Sequence, residues 1–274
     1  MPAQVFFTPS GVRLRRRSRD LGDLNWLLLP GGPGIGSESL HELADTLNVP
    51  GSIWMVDLPG DGSNVNPPGA PPDPFSCWPM VLVEAAQALP NAIYVGHSTG
   101  GMYLLSTPKV EQHIVGLALV SAAPDARWRG RFIQMTRRHP LPAVDAATAI
   151  YKHKRTSAAM CDIAIASAEW SFTTQSLDVG RKLLGRMPYN GLASNTERKT
   201  EAAAQLFLSS QPQGITGCYW TATSGRPRRA KGTSSIDQSC RAITRSRSLE
   251  RRGALALACV AVLPVVALAM VFLS

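Results

Sequence analysis

A serine flanked by glycines is the first place where the residue types indicate chemistry. Residues 96–100 read Gly-His-Ser-Thr-Gly, after an apolar stretch at 92–95 typical of a strand and before residues 101–105, which read as the start of a helix. A chain that reverses this sharply holds the serine in a strained backbone conformation, and flanking glycines let strand and helix approach closely. We therefore predict that Ser98 lies on a tight strand-to-helix turn with an exposed hydroxyl, as a nucleophile.

A glycine-rich loop upstream supplies the second element of such a site. Residues 26–34 read Trp-Leu-Leu-Leu-Pro-Gly-Gly-Pro-Gly, an apolar strand that ends in a loop whose N–H groups no side chain covers. A developing oxyanion needs preorganised N–H donors, and one such donor contributes about 3–4 kcal/mol to the transition state. The loop is therefore a candidate oxyanion hole.

A third landmark completes the pattern. Residues 52–63 form a buried-type strand that ends in Asp-Leu-Pro-Gly-Asp-Gly-Ser. With these three motifs the chain resembles the α/β-hydrolase family, in particular its proline-iminopeptidase and esterase-like branch, over about residues 20–190. One departure is that Pro30 stands where this branch usually carries a histidine, which weakens the assignment to the branch more than the assignment to the fold.

The resemblance implies acyl transfer to water. Ser98 would attack a carbonyl, and the backbone N–H groups of Gly32 and Thr99 would hold the oxyanion. The implied substrate is a small molecule with an ester or amide bond, and the apolar content of the expected lid favours an apolar one. We expect neither a metal nor an organic cofactor.

The partners that activate a serine are missing from their usual places. In this fold the acid and then the histidine follow the nucleophile, the histidine after the last strand. The five histidines include none beyond His153, and no apolar strand ending in an aspartate occurs late in the chain. Asp125, just past the strand that ends at residue 120, is the candidate acid, although a turn residue at the lid entrance is the commoner interpretation.

Strands that alternate with helices predict the fold class. The pattern indicates an α/β protein with a doubly wound, mostly parallel sheet, bearing a helical lid. We divide the chain into a hydrolase core at 1–124, a helical lid at 125–190, a basic low-complexity or disordered linker at 191–252 and a candidate transmembrane helix at 253–274.

Aromatic residues of the expected lid have two interpretations. The set comprises Trp128, Phe132, Trp170 and Phe172. They either line a substrate pocket beneath the lid or pack the lid onto the body, and we favour packing. Lids of this kind commonly gate substrate entry.

The last third of the chain has a different composition. Net charge is +9 overall, of which +7 falls in residues 191–274, and the arginines there are scattered among Ser, Thr and Gly. Such a distribution argues against nucleic-acid binding. Residues 254–273 are apolar or small, and at about 1.5 Å per residue they would span a bilayer core of about 30 Å. The literal interpretation is a C-terminal membrane anchor.

Two explanations of the missing histidine stay open. An abrupt change after Asn190 to Arg, Ala, Ser and Gly is what a truncated or frame-shifted reading of a hydrolase gene yields, and we favour this explanation. The other is a membrane-tethered, non-catalytic module that uses the hydrolase scaffold for binding. Both leave the hydrolase impaired or inactive.

The amino terminus and the cysteines indicate the cellular compartment of the protein. The amino terminus, residues 1–5, does not show a basic start followed by an apolar segment, so we expect no cleaved secretion signal. Five cysteines without a CxxC pair indicate reduced thiols. The domain is therefore expected to be cytoplasmic, with membrane association through residues 254–273.

Overall fold

The sheet is the central element of the fold. The computed structural model describes residues 4–32, 34–123 and 128–193, together with the backbone of a short strand at 218–220. Strands are β1 Val5–Phe7, β2 Arg13–Arg19, β3 Asn25–Leu29, β4 Ser52–Asp57, β5 Ala92–His97, β6 Gly116–Val120 and β7 Cys218–Trp220. Their order across the sheet is β1-β2-β4-β3-β5-β6-β7.

Helices connect the strands and then continue past β6. The α-helices are α1 His41–Thr46, α2 Trp78–Gln87, α3 Thr99–Leu105, α4 Trp128–Arg138, α5 Pro142–His153, α6 Ser157–Ala166 and α7 Leu177–Arg186. Five 3₁₀ turns lie at Ser37–Leu40, Pro74–Cys77, Pro108–His113, Ser167–Trp170 and Thr174–Ser176.

The five strands β4, β3, β5, β6 and β7 run parallel. Strand β2 pairs antiparallel with β4, and β1 pairs antiparallel with β2. The mixed sheet with crossover helices agrees with the α/β fold class. Strand β7 lies within residues 191–252, the range assigned to a linker, and its backbone pairs with β6.

Both faces of the sheet are covered, as a parallel sheet requires. On β4, Trp54 and Val56 pack into the cluster that contains α2, whereas Ile53 and Met55 pack into the cluster that contains α1. Because side chains alternate along a strand, a continuous apolar run places apolar side chains on both faces of the sheet. This explains why the sequence shows unbroken apolar runs rather than alternation.

A buried ion cluster ties the antiparallel strand β2 to the end of β4. Arg13 and Arg15 each place a guanidinium nitrogen near the Asp57 carboxylate, at 3.0 and 2.9 Å. Asp57 is fully buried and also accepts the N–H of Ser37 at 2.8 Å. The basic run at 13–19 is therefore only partly solvated, since two of its side chains neutralise the carboxylate that ends β4.

Residues 128–193, the helical segment, have a core of their own. Its fully buried members include Met160, Ile163 and Ala168. Ile35, which follows the glycine-rich loop, packs into this same cluster, and it pairs with Tyr189 in an antiparallel bridge. The helical segment is therefore anchored on the chain that leaves the glycine-rich loop.

No helix among residues 4–193 is long and apolar enough to cross a bilayer. The candidate span at 254–273 lies outside the described residues, as do Asp125 and most of the range 191–252.

Candidate active site

Ser98 occupies a strained turn between β5 and α3. Its backbone angles are φ 50° and ψ −122°, in a region that non-glycine residues rarely adopt. A conformation of this kind costs about 1–3 kcal/mol and persists only where its surroundings determine it. Here the Ser98 N–H donates to the Val120 carbonyl at 2.9 Å, and the Ser98 carbonyl accepts from Met102 at 3.3 Å. We refer to this strand-to-helix turn as the elbow.

The turn requires glycine at two positions, where a side chain would overlap a neighbouring backbone atom. A Cβ on Gly96 would lie 2.7 Å from the Cα of Gly101, where strand meets helix. A Cβ on Gly100 would overlap the carbonyl oxygen of Pro30, at the end of the neighbouring strand β3. Helix α3 thus begins in direct contact with the start of the glycine-rich loop.

Strand register places the glycine-rich loop beside the elbow. Leu29 pairs with Gly96 in the parallel β3–β5 ladder. The segments that follow β3 and β5 leave the sheet at the same end of the strands. Gly32 and Thr99 each lie three residues after the Leu29–Gly96 pair. Gly32 has φ 139°, a conformation that favours glycine. The two N–H groups assigned to the oxyanion therefore lie on adjacent segments, and Pro33 between Gly32 and Gly34 lies outside the described residues.

The expectation of an exposed serine needs correction. Ser98 is only 5% exposed. The hydrogen bonds it makes among the described residues are the two backbone bonds to Val120 and Met102. A substrate that reaches the hydroxyl must therefore enter a covered site, because the surrounding chain, rather than the turn itself, decides exposure.

Two histidines lie on elements next to the elbow. His97 precedes Ser98 and is fully buried. His113 lies beside Gln87, with 3.2 Å between their Nε2 atoms, and precedes β6. Because β5 and β6 are parallel, the amino end of β6 lies at the opposite edge of the sheet from Ser98. His113 is therefore not placed to act as the base.

The other histidines lie on helices. His41 begins α1, and burial, with the nearby charge of Arg17, lowers its pKa. His139 and His153 are exposed, after the last turn of α4 and in the last turn of α5. Among the described residues, none of these three histidines is hydrogen-bonded to the Ser98 hydroxyl. Asp125 falls outside those residues, so its role as the acid stays a prediction.

Buried carboxylates near the glycine-rich loop are the part of the site that the motifs did not reveal. Asp61, in the turn after β4, accepts the N–H of Gly34 at 2.7 Å. Its pKa is raised well above its usual value, because burial disfavours the charged form and outweighs the Gly34 hydrogen bond, while Asp57 and Glu38 raise it further. In the sequence, this turn stands out only as part of the motif at residues 52–63. Nothing in that motif indicates that Asp61 contacts Gly34.

The aromatic residues of the helical segment divide into two groups. Phe132 and Trp170 meet edge-to-face with ring centroids 5.7 Å apart, and the Trp170 indole donates to the His139 carbonyl at 2.8 Å. They line a groove of about 560 Å³ between α4 and α5, whose lining residues include neither the elbow nor the glycine-rich loop. Phe172 packs against Gly180 and the core of the helical segment. Packing within the helical segment accounts for these three rings.

Comparison with known proteins agrees with the fold. A sequence model of the alpha/beta hydrolase family matches residues 26–263, so the match continues past residue 190. The pimeloyl-[acyl-carrier protein] methyl ester esterase of Xylella fastidiosa is 31% identical over 98 residues, which are 36% of this chain and 36% of that protein. The chain thus aligns with about a third of the length of this curated relative.

Solved structures of hydrolases are similar to this chain at low sequence identity. An alpha/beta fold family hydrolase from Bacillus anthracis has a TM-score of 0.50 at 18% identity, with 73% of each chain covered. Proline iminopeptidase from Mycobacterium smegmatis has a TM-score of 0.43 at 17% identity, covering 73% of this chain and 69% of that one.

Proposed function

The chain belongs to the alpha/beta hydrolase family, and from this membership and the geometry at Ser98 we propose that it is a serine hydrolase acting on an ester or amide bond. The observation that carries the proposal is the backbone of Ser98, at φ 50° and ψ −122° between β5 and α3. Such strain is kept where it serves a site. An ester is the favoured substrate, because the Xylella relative is named as a methyl ester esterase.

Two backbone amides support the chemistry proposed for the serine. Attack of Ser98 Oγ on a carbonyl carbon forms a tetrahedral intermediate, and the N–H groups of Gly32 and Thr99 stabilise its oxyanion. Thr99 begins α3, where the first N–H groups of the helix lack intrahelical acceptors. As the intermediate collapses, the proton of the Ser98 hydroxyl passes to the departing alcohol or amine. Water then hydrolyses the acyl-enzyme, which releases the acid and restores the Ser98 hydroxyl. The substrate is a small apolar molecule, in keeping with the covered position of Ser98.

We propose that this activity is impaired. A serine hydroxyl is a weak nucleophile unless a base accepts its proton, and a carboxylate must orient that base. No histidine follows His153 in the sequence, although this fold usually places the base after the last strand. This same observation favours the second candidate, a non-catalytic binding module on a hydrolase scaffold.

A fluorophosphonate probe separates the two candidates. Because the serine is proposed to be impaired, we expect slow labelling of Ser98, over hours, in the folded full-length protein, and we expect the Ser98→Ala variant to take no label. Ser106→Ala is the matched control, because Ser106 follows α3 and, among the described residues, its hydroxyl donates to the Tyr103 carbonyl of that same helix. It should label as the parent does. A folded parent that takes no label over hours would overturn the hydrolase proposal in favour of the binding module.

A further inference from the structure

Asp61 is a buried carboxyl group in contact with the glycine-rich loop. It is 3% exposed, and its Oδ1 accepts the Gly34 N–H at 2.7 Å. Its own turn is held by two backbone bonds, from Asp61 N–H to the Leu58 carbonyl at 3.0 Å and from Asn64 N–H to the Asp61 carbonyl at 2.8 Å. Asp61 therefore presents its carboxyl group from a fixed backbone.

Asn190 holds Gly34 from the other side. The Asn190 N–H donates to the Gly34 carbonyl at 2.8 Å, and its side-chain amide donates to the Gly60 carbonyl at 2.7 Å. Gly34 has φ 83°, and a Cβ there would lie 2.7 Å from the Asn190 carbonyl oxygen. The N–H and the C=O of Gly34 are thus both bound, one by the turn after β4 and one by the end of the helical segment.

These bonds decide which loop amides remain for an oxyanion. Between Gly31 and Gly34, Pro33 has no N–H, and the N–H of Gly34 is committed to Asp61. The remaining donors are Gly31 and Gly32. A displaced Gly34 would move Gly32, which is only two residues away, and catalytic donors must be held within about 0.5 Å of their productive position.

The charges around Asp61 explain why it can remain there. Asp57 and Glu38 are the acidic groups that face it. Arg13 and Arg15 pair with both of them, with nitrogen–oxygen distances of 2.8–3.7 Å. Burial raises the pKa of Asp61, which favours the neutral carboxyl group. A neutral group can hold the amide without placing a full negative charge beside a developing oxyanion.

Resting on the proposed serine hydrolase function, we propose that Asp61 is a positioning residue that fixes the oxyanion loop by holding the N–H of Gly34. It touches no reacting atom. Its acceptor oxygen and its shape matter for this role, and a negative charge on it is not required.

Steady-state hydrolysis of p-nitrophenyl butyrate by the full-length protein tests the proposal. We expect Asp61→Ala to lower kcat about 10- to 100-fold with KM within twofold, because removing a whole oxyanion donor lowers kcat by about 100- to 1000-fold. Asp61→Asn keeps an acceptor oxygen at the same position and should retain kcat within about threefold. Equal losses in the two variants, or a change confined to KM, would show that Asp61 only supports the fold.

A second readout does not depend on turnover. Amide hydrogen exchange at Gly34 should be slow in the parent and in Asp61→Asn, and at least tenfold faster in Asp61→Ala. If the parent neither hydrolyses the ester nor takes the fluorophosphonate label, the hydrolase proposal fails, and with it the oxyanion role of Asp61. Unchanged Gly34 exchange in a folded Asp61→Ala protein contradicts the positioning role by itself, whatever the activity.

Discussion

At the scale of single residues, two unfavourable features lie next to the glycine-rich loop and the elbow. Ser98 adopts a strained backbone conformation, and Asp61 is an acid with little access to water. The strain at Ser98 is offset by its bonds to the flanking strand and helix. The desolvation of Asp61 is offset only in part by the N–H of Gly34, so its protonation is coupled to folding.

Asp61 should therefore make stability depend on pH. The pKa of Asp61 is raised in the folded protein. Below a pH of about 4 the carboxyl group is protonated in both the folded and the unfolded protein, and above this pH it ionises first in the unfolded protein. The free energy of unfolding should fall as pH rises from about 4 toward the folded-state pKa. We expect Asp61→Asn to match the parent near pH 4 and to be more stable at pH 8, as measured by urea denaturation.

Asp45 provides a control of opposite sign. The pKa of Asp45 is lowered, mainly by the side-chain hydrogen bond from Arg17. Its carboxylate therefore stabilises the folded protein above a pH of about 4, and this stabilisation is lost in acid. Asp45→Asn should therefore be slightly less stable than the parent at pH 8 and equal to it at low pH. If Asp61→Asn and Asp45→Asn gave the same pH dependence, the burial argument for Asp61 would be wrong.

At the scale of secondary structure, the site depends on how closely α3 approaches the ends of β3 and β5. The Leu29–Gly96 register sets the loop and the elbow at one sheet edge. The contact between Gly100 and the Pro30 carbonyl then fixes their separation. Sequence spacing suggested each motif, but the register that brings them together exists only in the sheet.

Gly100→Ala tests this close approach. The new methyl group would overlap the Pro30 carbonyl, so we expect a loss of about 1–3 kcal/mol in the free energy of unfolding. Gly130→Ala is the matched control, since Gly130 lies inside α4 with nothing within 4 Å of an added Cβ. That substitution should instead stabilise by about 0.5–1 kcal/mol. A neutral Gly100→Ala in chemical denaturation would contradict the packing described.

At the scale of the whole molecule, the helical segment and the site are joined through one short stretch of chain. Ile35 has its side chain in the core of the helical segment, while its backbone directly follows Gly34. The Ile35–Tyr189 bridge and the bond from Asn190 to Gly34 add to this connection. Loosening the helical segment at this point should therefore disturb the glycine-rich loop.

Two isoleucines distinguish coupling from general instability. Ile35→Ala and Ile163→Ala both remove a fully buried side chain from the same cluster, so each should cost about 2–5 kcal/mol. Under conditions where both variants are folded, only Ile35→Ala should lower kcat for p-nitrophenyl butyrate by more than about fivefold. Equal kcat values in the two variants would mean that the helical segment does not act on the loop.

Local patterns determined the fold class and the elbow. Unbroken apolar runs require a sheet buried on both faces, and Gly-His-Ser-Thr-Gly between a strand and a helix predicts a sharp turn, because both follow from neighbouring residues. The periodicity of residues 128–186 likewise indicated helices, and four are present there.

Contacts between distant residues were decided only by the tertiary structure. The 2.7 Å bond between Asp61 and Gly34 joins residues 27 positions apart, and Asn190 reaches Gly60 across 130. The covered position of Ser98 depends in the same way on what surrounds the turn. Such contacts leave no periodic trace in a single sequence, because packing between separate elements, and not local backbone preference, brings these atoms together.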